Sequence, residues 1–253
     1  ILLILDGWGH SETVENNAII QAKTPVWDRF NQEFQHSLIL TSGKQVGLPG
    51  NQMGNSEVGH LSLGAGRVVK QDFTRIQNEI QNGDFFRNPT LRNSLEYANE
   101  NNKAVHIMGL LSDGGVHSHK DQLHGMLEMT KKYDCKDVYL HIFTDGRDCA
   151  QKSAKGYIQK LEDKIVELGV GEIATIIGRY FSMDRDNRWS RIRCAYDLIS
   201  KGKSKFLART AMDAIDQAYE RGETDEFIQS TVINASAVIN EGDVLIFMNY
   251  RAD

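Results

Sequence analysis

The chain has 253 residues, 40% hydrophobic and 25% charged, with a net charge of −5. That is enough chain for one large domain or two modest ones with a sizeable core. With no basic tail or lysine-rich block and no apolar run near the length of a membrane span, the composition argues against nucleic acid and membranes as partners, although a local arginine cluster can still hold a small anion.

The opening run Ile1-Leu2-Leu3-Ile4-Leu5 reads as a buried parallel strand. It ends in Asp6-Gly7-Trp8-Gly9-His10, a turn with an acid at the strand's carboxyl end, where ligands gather in open α/β sheets. Thr24-Pro25 starts a helix, with Thr24 as N-cap and Pro25 at the first helical position. Ser37–Thr41 reads as a second short strand. A loop of turn-formers, among them Gly47, Pro49, Gly50, Asn51, Gly54 and Asn55, leads to Ser56-Glu57-Val58-Gly59-His60. Ser56 is expected as the N-cap of a helix with Glu57 in its first turn. A hydroxyl at a helix start is either an ordinary cap or, if its pKa is lowered, an acceptor for a phosphoryl group.

Beyond Gly64-Ala65-Gly66 the texture changes. Helices are expected over Asp72–Gln81 and Pro89–Glu100. Strands over Ala104–Leu110, Val138–Phe143, Ile173–Ile177 and Val244–Met248 then alternate with helices over Lys120–Lys132, Gln151–Leu168, Asn187–Ser200 and Ala211–Arg221. This alternation predicts an α/β layered domain with a largely parallel sheet, and the candidate boundary between domains lies near Val68–Asp72. Cys135, Cys149 and Cys194 are odd in number and include no CxxC pair. They are expected as free thiols of a reducing compartment, the cytoplasm by default. The start without methionine and the stop just after an apolar strand suggest a piece of a longer protein.

Each strand of the second region runs into a polar, glycine-bearing segment. If the sheet is parallel, one edge carries His117, Arg147, Asp148, Arg179, Arg185 and Arg251. Guanidinium forks match carboxylate and phosphate oxygens two at a time, so the group predicts a pocket for a small acid bearing both. His117 reads as a proton donor or phosphate contact and His119 as structural. Asp148 is either a general base toward a hydroxyl or the partner of Arg147. Asp6 and Ser56 could share a hard cation such as Mg²⁺ or Mn²⁺, which would lower the hydroxyl's pKa.

In order along the chain, Asp6-Gly7-Trp8-Gly9, Gln52–His60, Gly114–His119, Asp145-Gly146-Arg147-Asp148, Gly178-Arg179-Tyr180, Met183–Trp189 and Asn249–Asp253 resemble the cofactor-independent phosphoglycerate mutases. The resemblance implies an alkaline-phosphatase-like metal domain interrupted by an inserted α/β transferase domain. Residues 1–70 would be the first part of the former and 71–253 the latter. It implies an isomerase that interconverts 3-phosphoglycerate and 2-phosphoglycerate in glycolysis, without 2,3-bisphosphoglycerate and as a monomer. Ser56 would become phosphoserine. Asp6 and Ser56 would be ligands of one of two Mn²⁺ or Mg²⁺ ions. His117, Arg147, Asp148, Arg179, Arg185 and Arg251 would bind substrate, with Asp148 as acid/base. The family's remaining metal ligands and a lysine near the phosphate find no match here, so this chain alone is expected to be inactive. The alternatives are a metal-dependent phosphatase of the same superfamily and a non-catalytic phosphoacid-binding module.

Overall fold

A computed structural model describes residues 1–50 and 52–252. The expectations placed on Asn51 and on Asp253 lie outside the described residues. The chain divides into two compact units, Ile1–Thr74 and Arg75–Asp253.

The first unit holds helices α1 (Ala18–Gln21), α2 (Pro25–Glu33) and α3 (Ser56–Ala65), with a 3₁₀ turn at Gly43–Val46. α2 begins as expected, with Thr24 as N-cap and Pro25 at the first helical position. Neither Ile1–Leu5 nor Ser37–Thr41 is a strand; both runs are exposed, Leu3 at 79% and Ile39 at 73%. An extended segment becomes a strand only when a neighbour takes its N–H and C=O groups, and among the described residues of this unit none does. The apolar runs keep the composition of strands without the pairing. What is buried is small: Val46, Leu48 and Val58 form one cluster.

The second unit is built on a six-stranded sheet in the order β4-β5-β3-β2-β1-β6. β1 (Val105–Leu110), β2 (Val138–Thr144), β3 (Glu172–Gly178) and β6 (Val244–Met248) are parallel. These are the four expected strands, with no end moved by more than one residue. β4 (Phe206–Leu207) and β5 (Thr231–Val232) extend one side, β5 running antiparallel to β3. Two residues are too short to give the alternation that makes a strand readable. Helices α4 (Asp72–Asn82), α5 (Pro89–Glu100), α6 (Lys120–Lys132), α7 (Ala154–Leu168), α8 (Arg179–Ser182), α9 (Trp189–Lys201) and α10 (Ala211–Glu220) complete the chain.

The main core lies where Ile107, Leu140, Ile142 and Ile176 meet Leu95 of α5, Leu123 and Met126 of α6, Ile158 and Leu161 of α7 and Ile215 of α10. A smaller cluster sets Leu110, Phe143 and Ile177 against Leu198 and Ile199 of α9.

A hydrogen-bonded chain crosses the sheet through this interior. Thr175 Oγ1 lies 2.9 Å from His141 Nδ1, His141 Nε2 lies 2.9 Å from His106 Nδ1, and His106 Nε2 lies 3.4 Å from Asp243 Oδ2. An irregularity in the β2–β3 register between Leu140 and His141 brings Thr175 opposite His141. If Asp243 is the terminal acceptor, every donor points toward it: the threonine hydroxyl to His141, His141 to His106, and His106 to the carboxylate. Both imidazoles are then neutral. Burial, and secondarily the neighbouring His106, pushes His141 down to about 3. Burial also holds His106 below its ordinary value, against the pull of Asp243.

A base kept neutral in the folded state but free to protonate when unfolded gives full stability above about pH 6.5, lost as pH falls toward 3. By about pH 5, His141 alone is expected to remove on the order of 2 kcal/mol. Urea midpoints at about pH 7.5 and about pH 5 should differ accordingly, with His141 not titrating in that range by NMR. A titration of His141 near its ordinary value would contradict this account.

Candidate active site

In the first unit the site is a serine with two neighbours. The N-cap of α3 is Asn55, not the expected Ser56. Asn55 is extended (φ −142°, ψ 170°), and its side chain accepts the Val58 N–H at 3.1 Å. The difference has a chemical consequence: a capping hydroxyl is occupied by a backbone N–H, whereas here the asparagine takes that duty and the serine keeps its oxygen. Ser56 Oγ donates to Asp6 Oδ2 at 2.7 Å and lies 3.2 Å from His60 Nδ1. Asp6 is presented by a tight turn in which Trp8 N–H bonds Leu5 O and Gly7 takes φ +76°. Glu57 sits in the first helical turn, as expected. Asp6 and Ser56 offer two hard oxygens side by side, the donor type that Mg²⁺ or Mn²⁺ takes, and so fit one edge of such a coordination sphere. Among the described residues no group of three or more His, Cys, Asp or Glu could hold a metal ion. His60 was given no part by the sequence reading. Its spacing of four from Ser56, which puts both on one helix face, was the available signal.

In the second unit the parallel strands β1, β2, β3 and β6 place the four polar segments at their common carboxyl edge. The buried centre of that edge is Asp145, at the end of β2, whose carboxylate accepts four groups. They are Ser112 Oγ at 2.5 Å, the Arg147 and Asp148 N–H groups at 3.1 and 3.0 Å, and Arg179 Nη1 at 2.7 Å. Burial would raise this carboxyl, but the hydrogen bonds from Ser112, the Asp148 amide, Arg179 and the Arg147 amide outweigh it and hold it below the ordinary carboxylate range. Arg179, 7% exposed, also gives Nη1 to Asp148 Oδ2 at 2.5 Å. The partner of Asp148 is therefore Arg179, whereas Arg147 pairs with Glu226 at 3.7 Å.

The segment Asp225–Ile228 braces these loops from beneath. The buried Asp225 carboxylate accepts the Ser153 and Ala154 N–H groups at the start of α7, and its carbonyl accepts Thr144 Oγ1. The approach is close enough to require glycine twice. Gly146 holds φ +69° with any Cβ falling 2.8 Å from Glu226 N, and a Cβ on Gly178 would fall 2.3 Å from Glu226 O.

A cleft of about 320 Å³ is lined by His117, Asp184, Arg185, Phe247, Asn249 and Arg251, among others. Two bonds draw the β1 and β6 loops together here, Tyr250 N–H to His117 O at 3.0 Å and Tyr250 Oη to Gly115 O at 2.6 Å. Arg185 is carried by a turn that Asp184 organises: its carboxylate accepts the Asp186 and Arg188 N–H groups and Arg191 Nη1. Arg191 also lies over the Tyr180 ring at 3.8 Å. Arg188 is exposed. The Asp148 Cβ stands against Gly114, in the loop that carries His117. His119 caps α6, its Nδ1 accepting the Asp121 N–H, as a structural histidine would. Burial pushes the Cys149 thiol up, which keeps it in the protonated form expected of a free thiol. Asp145, Glu226, Asp225, Asp184 and Arg191 were not singled out from sequence. Asp145 and Asp184 lay inside noted motifs, but their roles depend on partners from other strands.

The family model described as BPG-independent PGAM N-terminus matches residues 76–253. The chain belongs to this family. It is 77% identical to the 2,3-bisphosphoglycerate-independent phosphoglycerate mutase of Ruthia magnifica over 253 residues, all of this chain and 49% of that protein. It is 54% identical to that of Serratia proteamaculans, aligned over all of this chain and 50% of the relative. A crystal structure of Leishmania mexicana phosphoglycerate mutase at low cobalt concentration superposes with a TM-score of 0.78 at 30% identity, covering 99% of this chain and 48% of that one. The chain thus spans about half the length of the phosphoglycerate mutases it matches.

Asp145→Ala removes a buried partner of Arg179 and the acceptor for two loop amides. Breaking a buried ion pair from one side costs about 3–5 kcal/mol, and a loss of that order is expected in the denaturant midpoint. A loss under about 1 kcal/mol would show that the carboxylate does not organise the edge.

Proposed function

We propose that this chain supplies the phosphoryl-accepting serine and the anion-holding cleft of an enzyme that interconverts 3-phosphoglycerate and 2-phosphoglycerate. Residues 1–70 are taken as part of its metal-binding domain and 71–253 as its substrate domain. The observation that carries the reading is the Ser56 hydroxyl, released from capping and bonded to Asp6, in a chain whose relatives are named as phosphoglycerate mutases.

A phosphate must leave one glycerate oxygen and arrive on its neighbour, and a covalent stop divides this into two displacements. In the first, the Oγ–P bond forms as the bond from phosphorus to the glycerate oxygen breaks. The Oγ proton leaves along its bond to Asp6, and the freed glycerate oxygen takes up a proton. The second displacement reverses these events on the adjacent hydroxyl. Asp148, set against the His117 loop, is the carboxylate proposed to exchange protons with the glycerate hydroxyls. Arg185, Arg251 and His117 hold the anionic ends of the substrate, with Arg147 contributing from the Asp145 loop and Arg179 from the start of α8. Asp6 and Ser56 would hold a Mn²⁺ or Mg²⁺ ion, whose charge, when bound, lowers the pKa of the hydroxyl and offsets charge on the transferring group. The free thiols suit a reducing, cytoplasmic setting for this glycolytic step.

In a protein extended to the length of its relatives, Ser56→Ala is expected to abolish turnover and the phosphoryl mass increment on the Ser56 peptide. Label should stay on glycerate in the unsubstituted protein, since release of free phosphate would instead indicate a phosphatase. Arg185→Ala and Arg251→Ala should each weaken phosphoglycerate binding by about 1.5–3 kcal/mol in calorimetry, the value of a charge-assisted hydrogen bond. The 253-residue chain alone is expected to show no interconversion.

A further inference from the structure

We infer that His60 is a further catalytic residue, whose Nδ1–H holds the Ser56 oxygen in its reactive orientation and stays bonded to that oxygen through both phosphoryl transfers. The inference rests on the reading of Ser56 as the phosphoryl acceptor. Its basis is a proton count. Ser56 Oγ has one hydrogen, and at 2.7 Å from Asp6 Oδ2 it donates that hydrogen to the carboxylate. The contact with His60 Nδ1 at 3.2 Å must therefore run the other way, from imidazole to hydroxyl. The second contact of the same nitrogen, 2.8 Å from the Ser56 carbonyl oxygen, requires the same, because a carbonyl only accepts. Two independent partners thus assign the hydrogen to Nδ1, which is shared between the carbonyl and the hydroxyl.

A hydroxyl has one hydrogen and two lone pairs. Asp6 takes the hydrogen and His60 takes one lone pair; once the proton has left, Oγ keeps two further pairs, one for a cation held together with Asp6 and one for attack on phosphorus. The two contacts also fix the side-chain torsion of Ser56, since both neighbours must be met at once. When the Oγ–P bond has formed, Oγ has lost its hydrogen but can still accept from His60. On the return transfer that oxygen leaves with the bonding electron pair, and a donor already aimed at it stabilises the developing charge. The imidazole gives up no proton in either direction.

The test uses the protein at the length of its relatives, with three substitutions. His60→Asn keeps an N–H donor near the position of Nδ1. His60→Gln moves the donor toward the position of Nε2, and His60→Ala removes it. Rapid-quench mass spectrometry of the Ser56 peptide in a single turnover is expected to show phosphoserine forming at least about tenfold more slowly in the Ala and Gln variants and near the unsubstituted rate in Asn. Labelled-histidine NMR of the unsubstituted protein should show the hydrogen on Nδ1. Equal rates for Ala and the unsubstituted protein, equal slowing of Asn and Gln, or a hydrogen confined to Nε2 would each overturn the inference. Absence of phosphoserine in the unsubstituted protein is a different result: it removes the mutase reading itself.

Discussion

The carboxyl edge of the sheet depends on one buried negative charge. Asp145 stands at the end of a central strand, out of water, and is tolerable there only because four donors converge on it. Those donors come from three places: the β1 loop through Ser112, its own loop through two amides, and the start of α8 through Arg179. Satisfying the carboxylate therefore aligns the segments that carry the candidate ligands. A lone buried charge would destabilise the fold; a fully bonded one converts its desolvation cost into positional definition. Glycines at 146 and 178 let the Asp225–Ile228 segment close against the same loops, so the edge is braced from within the protein as well as across it.

The two units carry different chemistry. In the second, cationic groups are organised by acids: Arg179 by Asp145 and Asp148, Arg147 by Glu226, and Arg191 by Asp184. This pattern holds guanidinium groups in defined places without leaving them to repel one another, which suits recognition of a small anion with two charged ends. In the first unit a hydroxyl is relieved of capping duty by the asparagine before it and bonded to a carboxylate. A chain that belongs to the BPG-independent phosphoglycerate mutase N-terminal family thus presents a candidate nucleophile and a candidate clamp on separate compact units.

The polar chain through His106 and His141 is a structural counterpart on the same sheet. It reaches from Thr175 in β3 to Asp243, which directly precedes β6, the strand that delivers Arg251. Beyond this chain, the edge strand β6 is held by its ladder to β1 and by the Tyr250 contacts. Buried polar groups that satisfy one another are selective: they accept one register and penalise its neighbours.

Much of this protein was legible in its residues. Apolar runs of five to seven residues separated by amphipathic stretches determined β1, β2, β3 and β6 and the helices between them, because burial on both faces and on one face leave different periodicities. The glycine- and arginine-bearing segments after those strands were expected at one edge and lie there, since parallel strands all end on one side. Other features waited for the tertiary structure, for a common reason: they rest on pairing between residues distant in sequence. Ile1–Leu5 has a strand's composition, but composition cannot supply a partner. Asp148 could have paired with its neighbour Arg147, yet packing gave it Arg179, brought from another strand. Ser56 could have been a cap, but the backbone at Asn55 decided otherwise. Asp145 looked like one more loop acid until four donors from three segments met at its carboxylate.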